Sequence, residues 1–231
     1  MNIRITGLFL VALIAAFASC KKSGDVPVAV TLADSLNIVN ASTNTINYYL
    51  NGTRLNNNSN LYPGGSSGYY YVPTGTQTYQ VKKAFDPATS VVQQLFSIPL
   101  DLEAHHYYSL FITDDTAAHA FYIKDALRPE NRTDTCLVRF VNASPNSGSL
   151  DFAVGDTLKF SNKAFTDTSD FRPVGVSGLK AIALYQSGSA EPLVSGHYPL
   201  VAGRSYTFYA KGKKGGSGNT ALNLGVTLNY N

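Results

Sequence analysis

The chain has 231 residues, 44% hydrophobic and 12% aromatic, with 18 Lys and Arg against 15 Asp and Glu for a formal net charge of +3. That length allows two domains of ordinary size, each able to bury a core without disulfide staples. The near balance of charge argues against nucleic acid as a partner and against a polybasic membrane patch, and a chain rich in Tyr and Phe but poor in charge has the composition of β-sheet rather than helix.

The first element in chain order is a leader. Met1-Asn2-Ile3-Arg4 supplies one basic side chain, residues 7–18 are almost wholly apolar, and Ala18 and Ser19 are small. A basic start, a short apolar run and a small-residue cleavage site define a secretory signal peptide, here residues 1–19. The run is too short for a spanning helix, which needs roughly 20 apolar residues. Phe17-Ala18-Ser19-Cys20 resembles the lipobox of bacterial lipoproteins, with Phe17 where Leu is commoner. Boxes ending Ser-Cys resemble those of the Bacteroidota. The resemblance implies a diacylglycerol on the Cys20 thiol, cleavage just ahead of it and acylation of the new amine. It therefore implies a membrane partner reached through lipid and a cell-envelope location, in all expectation the outer membrane. Each buried lipid CH₂ is worth about 0.8 kcal/mol, so two or three acyl chains hold where one does not. Residues 20–34, polar and containing Gly24 and Pro27, read as a tether.

An internal repeat organises the remainder. Ile38-Val39-Asn40-Ala41-Ser42 recurs as Phe140-Val141-Asn142-Ala143-Ser144. Tyr71-Val72-Pro73 is echoed by Phe171-Arg172-Pro173, and Leu102-Glu103-Ala104 by Leu200-Val201-Ala202. The offsets are 102, 100 and 98 residues, in the same order. The period is a whole domain, which predicts domain 1 over 35–127, a polar linker over 128–134 and domain 2 over 135–231, each folding independently. In the first copy, strands are expected at 36–39, 46–50, 68–72, 78–82, 91–98, 107–113 and 120–123. Asn51-Gly52 is a tight-turn signal, and Pro63-Gly64-Gly65 adds turn punctuation. The second copy ends on Leu222, Leu224, Val226 and Leu228, the period of a half-buried strand. The predicted class is all-β: two tandem antiparallel β-sandwich domains of immunoglobulin-like or transthyretin-like architecture.

Val138-Arg139-Phe140-Val141-Asn142-Ala143-Ser144-Pro145, then Leu150-Asp151-Phe152, resembles the opening of the domain-of-unknown-function family numbered 4397. Leu200-Val201-Ala202-Gly203-Arg204-Ser205-Tyr206-Thr207 resembles that family's late strand. Copy one departs at Thr43, Asn47 and His105, which stand for Pro, Asp and Gly. The resemblance implies secreted or surface-anchored β-sandwiches, often in tandem, and no catalytic residues. On physical grounds, Asn-Ala-Ser-Pro after an apolar strand is a strand terminator: Asn and Ser bond nearby backbone, and Pro cannot extend a ladder.

Chemistry is sparse. Adjacent His105 and His106, if on a strand, point to opposite faces. His106 and His119 meet only if their strands pair, and no Cys or carboxylate pair has zinc spacing. Asp114-Asp115 lacks the oxygen-rich spacing of calcium loops. No Gly-x-Ser-x-Gly elbow or defensible Ser-His-Asp set is present, the carboxylates select no glycosidase pair, and glycine-rich 212–218 lacks the context of a phosphate loop. No metal or cofactor is expected. Cys136, in a strand-like run, reads as a small buried hydrophobe. Tyr69, Tyr70 and Tyr71 are the candidate ligand contacts, two on one strand face and one on the other, because Tyr offers flat contact area with a polar tip. Ser35, Thr116 and Thr157 each follow Asp and precede an apolar residue or Ala, resembling the acceptor of Bacteroidota O-glycosylation. The function expected is a non-enzymatic binding, adhesion or structural module of the envelope, with a glycan or protein partner. The alternatives are a glycan-binding accessory lipoprotein of polysaccharide uptake and a hydrolase with a loop-borne site.

Overall fold

The computed structural model describes residues 32–56, 59–85, 92–127 and 132–230. The leader, Cys20 and nearly all of the tether lie outside the described residues, as do residues 128–131 of the expected linker. No helix among the described residues is long and apolar enough to cross a membrane.

The described residues form strands and no α-helix. Copy one contributes β1 (Leu32–Asn40), β2 (Ile46–Leu50), β3 (Thr53–Arg54), β4 (Ser66–Pro73), β5 (Gly75–Lys83), β6 (Gln94–Leu102), β7 (Tyr107–Ile112) and β8 (Phe121–Asp125). Copy two contributes β9 (Thr135–Asn142), β10 (Leu150–Val154), β11 (Leu158–Lys163), β12 (Arg172–Gly175), β13 (Leu179–Gln186), β14 (Pro192–Pro199), β15 (Ser205–Lys211) and β16 (Asn223–Tyr230). The seven strands expected in copy one are all present. The eighth, β3, is two residues long and leaves no periodic signal.

Each copy is a pair of four-stranded sheets: β4-β1-β7-β8 with β3-β2-β5-β6, and β12-β9-β15-β16 with β11-β10-β13-β14. Lettered A to H within a copy, the sheets read D-A-G-H and C-B-E-F. The immunoglobulin constant arrangement groups ABED and CFG, so these sandwiches pair their strands differently from an immunoglobulin constant domain. In each copy the first strand is central, antiparallel to the fourth and parallel to the seventh.

Alternation of side chains decides what each sheet buries. On β1, Leu36 and Ile38 enter a core with Tyr48, Tyr79, Leu100 and Leu110. On β9, Val138 and Phe140 enter a second core with Phe152, Leu184 and Phe208. The opposite faces of these strands are buried too. Val39, Ala41 and Phe111 of copy one pack with Val141, Ala143 and Tyr209 of copy two in a third core. The two A-bearing sheets therefore lie face to face, and the described residues form a stack of four sheets. This explains why β1 and β9 are buried on both faces, with Asn37 and Arg139 as the polar residues of the second face, a burial ordinarily tied to sheets covered on both sides.

Local chemistry fixes the turns. Asn51 and Gly52 take φ of 50° and 78°, the two positive values that a tight hairpin between β2 and β3 requires. His105 and His106 are not on a strand: they lie in the turn before β7, and His105 has φ of 64°. Its counterpart in copy two is Gly203, at φ 78°. The departure from the family pattern at His105 is thus a non-glycine residue in a left-handed position, where His is among the better-tolerated residues. Asn40 and Asn142 tie off β1 and β9. Asn40 Nδ2 donates to the carbonyls of Asn44 and Leu61 while its Oδ1 accepts from Ser42 N. Asn142 Nδ2 donates to the carbonyls of Gly148 and Lys163 while its Oδ1 accepts from Ser144 N. Cys136 is buried and unpaired, and burial pushes its thiol up to about 11.

Candidate functional site

Each sandwich has an open side where the edge strands of its two sheets part, at β3 and β4 in copy one and at β11 and β12 in copy two. Both sides hold a pocket, and strand register shows the two pockets to be equivalent. Leu36 lies opposite Tyr70, and its counterpart Val138 lies opposite Arg172. Ser67 Oγ accepts the amide of Ile38 at 2.8 Å, and Ser169 Oγ accepts that of Phe140 at 2.9 Å. Arg172 thus stands where copy one has Tyr70, and the echo aligning Tyr71 with Phe171 is displaced by two residues: Tyr69 is the counterpart of Phe171.

The same place carries different chemistry in the two copies. The copy-one pocket, about 270 Å³, is uncharged: Tyr48, Tyr70, Leu61, Asn56, Asn60 and Ser67 are among its lining. The rings of Tyr48 and Tyr70 stack with centroids 5.8 Å apart. Arg54 braces the rim, donating to Ser59 O and Asn60 Oδ1, each at 3.1 Å. The Tyr70 hydroxyl is buried and makes no well-formed hydrogen bond among the described residues, and burial holds its pKa well above the usual phenol value. The copy-two pocket, about 340 Å³, is lined by Lys159, Lys163 and Arg172 with Asp170. Lys159 Nζ is 2.9 Å from Asp151. Burial opposes ionisation of Asp151, but the Asn162 amide, Ser187 and Lys159 outweigh it and hold the carboxyl below its usual range.

A family model, described as Domain of unknown function (DUF4397), matches residues 35–153 and again 136–229. The chain belongs to the DUF4397 family. The two DUF4397 matches overlap across β9 and most of β10, so the first runs past the end of copy one. No curated protein matches the chain.

Within this DUF4397 chain the three candidate tyrosines do three different things and form no coplanar row. Tyr71 is 71% exposed. Tyr70 lines the copy-one pocket. Tyr69 faces copy two, its ring edge-on to Tyr107 at 5.3 Å, and it belongs to a closed ring of hydrogen bonds across the joint between the copies. Arg139 bonds Asp125 Oδ1, and Tyr69 donates to Asp125 Oδ2 at 2.7 Å. Asn229 Nδ2 donates to Tyr69 at 2.8 Å, Thr207 donates to Asn229, and Arg139 Nε donates to Thr207 at 2.7 Å. Ser109 adds a second donor to Asp125 Oδ2, at 2.7 Å. The side chains of Arg139 and Asp125 are 4% and 0% exposed. Beside the ring, Asn37 donates to Thr227, which donates to Ser66.

Asp125 and Arg139 were not among the sequence candidates. The available signal was Arg139 itself, a cation inside the apolar run of β9, because buried charges are ordinarily paired. Of the candidate glycan acceptors, Thr116 and Thr157 are exposed, Thr157 beside a shallow depression of about 330 Å³. Ser35 is corrected: it is 8% exposed within β1, its amide bonded to His106 O, and has no room for a bulky hydrophilic group. His119 pairs with Asp114 rather than with His106. Burial opposes ionisation of Asp114, but His119 and Thr116 outweigh it and lower its pKa. No group of three or more His, Cys, Asp or Glu able to hold a metal occurs among the described residues.

Proposed function

We propose that this DUF4397 chain is a non-enzymatic binding module of the cell envelope, held by lipid on Cys20, whose two open-sided pockets present one neutral and one cationic surface on a rigid stack. The observation that supports it is the divergence of equivalent positions: Tyr70 with amides in one copy, Arg172 with two lysines in the other. Duplication that served packing alone would not need opposite chemistry at the same opening. The neutral pocket favours a glycan as the copy-one ligand, since stacked phenol rings beside amides and hydroxyls suit an uncharged polyol.

Titration of residues 21–231 with neutral and with polyanionic oligosaccharides tests the binding. Asn60→Ala is expected to weaken the neutral ligand alone and Arg172→Ala the anionic one alone. Equal binding by both variants and parent sinks the two-pocket reading. Anchoring is tested separately: Cys20→Ala is expected to release the protein from membranes or leave the leader uncut, and an N-terminal peptide without acyl mass overturns it. Thr116 and Thr157 stay available for glycan attachment, which intact-mass measurement of protein from its native host decides.

A further inference from the structure

The joint between the copies is built from equivalent surfaces: Val39, Ala41 and Phe111 pack with their counterparts Val141, Ala143 and Tyr209. Asn37 of β1 and Arg139 of β9 hold the same register, opposite Ser109 and Thr207. Ser109 and Thr207 in turn lie opposite Ile123 and Thr227, and two residues on, Asp125 and Asn229 share the same face of their sheets, Asn229 at a register shift of β16. Both reach the hydroxyl of Tyr69. Such a face is able in principle to meet itself, as isologous faces do. Its charges decide otherwise.

We infer that the joint is coded for unlike pairing: the inner sheet of copy one accepts copy two, of its own chain or of a second chain, and rejects another copy one. The code is the placement of one carboxylate and one guanidinium at positions that are not equivalent. If two copy-one faces met in this geometry, Arg139 would be replaced by Asn37 and Asn229 by a second Asp125. The Tyr69 hydroxyl would then lie between two carboxylates with no cation. If two copy-two faces met, Asp125 would be replaced by Asn229 and Tyr69 by Phe171. Two guanidiniums would be buried with no carboxylate. A buried ion stripped of its counter-ion is strongly disfavoured, and specificity of this kind comes from penalising the wrong partner. The remainder of the joint, Val39, Ala41, Phe111, Val141, Ala143 and Tyr209, is apolar and does not discriminate.

The test uses residues 21–231, which hold every described strand. Asp125→Arg places two cations at the joint, and Arg139→Asp places two anions there. Alone, each variant is expected to lose its internal joint and not to dimerise with itself. Mixed in equal amounts, they should exchange copies. The cation introduced at position 125 of one chain then meets the carboxylate introduced at position 139 of the other, and the native Asp125 and Arg139 that remain meet at the second joint. Light scattering or native mass spectrometry should show a one-to-one pair enriched by at least roughly tenfold over either variant alone. The reversed double variant, D125R/R139D, should return to a monomer. A mixture that stays monomeric, or single variants that self-associate as readily as the mixture, overturns the inference. Where the single variants do not fold, the double variant decides: a folded monomer supports the code, and a chain as unfolded as the singles refutes it.

Discussion

Asp125 and Tyr70 mark two extremes among the buried polar side chains of the described residues. Asp125 receives donors from Tyr69, Ser109 and Arg139. Asp125→Asn strands the Arg139 guanidinium, and breaking such a pair typically costs about 3–5 kcal/mol, which a drop in the urea midpoint will register. Tyr70 is the opposite case. Its hydroxyl makes no well-formed hydrogen bond among the described residues, so Tyr70→Phe removes a burial cost of about 1–3 kcal/mol and is expected to leave stability unchanged or raised; a clear loss in thermal unfolding would reveal a partner for the phenol. Asp151 gives the pH dependence. Its folded pKa lies below its unfolded value, so it stabilises the fold above the unfolded pKa of about 3.9, and that contribution is lost as pH falls through the lower folded value. Asp151→Asn should flatten the stability profile between about pH 4 and the acid limit. Cys136, with its thiol pushed up to about 11 and its side chain buried, should label slowly in the native state and rapidly in denaturant.

At the scale of the strand, the alternating apolar positions and the turn residues were legible: β5 and β6 follow their period, and Asn51-Gly52 forms the hairpin that the dipeptide announces. Two features were not. The period shows which residues leave water but not what covers them, so nothing in Val39, Val141 or Tyr209 says that the cover is the other copy. Tyr70 and Arg172, likewise, are made equivalent by register and not by local likeness, since Tyr71-Val72-Pro73 and Phe171-Arg172-Pro173 look more alike. A glycine shows the same dependence on a neighbour. Gly225 of β16 lies opposite Tyr209, and a Cβ there would come within 2.3 Å of the phenol ring. Gly225→Ala therefore displaces Tyr209 from the third core and breaks its 2.8 Å bond to Gly64 O. A loss of several degrees in the unfolding midpoint, about 1–3 kcal/mol, is expected.

The described residues form a stack of four sheets in which the first strand of each middle sheet, β1 and β9, is buried on both faces. The linker at 128–134 suggests two bodies, yet the third core and the ring around Asp125 bind them together. Heating or urea should therefore unfold residues 21–231 in one transition by calorimetry, and two well-separated transitions would show that the joint contributes little.

The position of β1 has a mechanical consequence. Chain arriving from residues before Leu32 passes straight into a strand bonded along both edges, to β4 on one side and β7 on the other, with Leu36 and Ile38 clamped on one face and Val39 on the other. A load pulling on that incoming chain acts along the strand axis. The hydrogen bonds on both edges then take it in shear and share it, whereas a load across a hairpin end would open its bonds one after another. Tension from the N-terminal side would meet the most resistant strand of copy one first, ahead of any exposed edge.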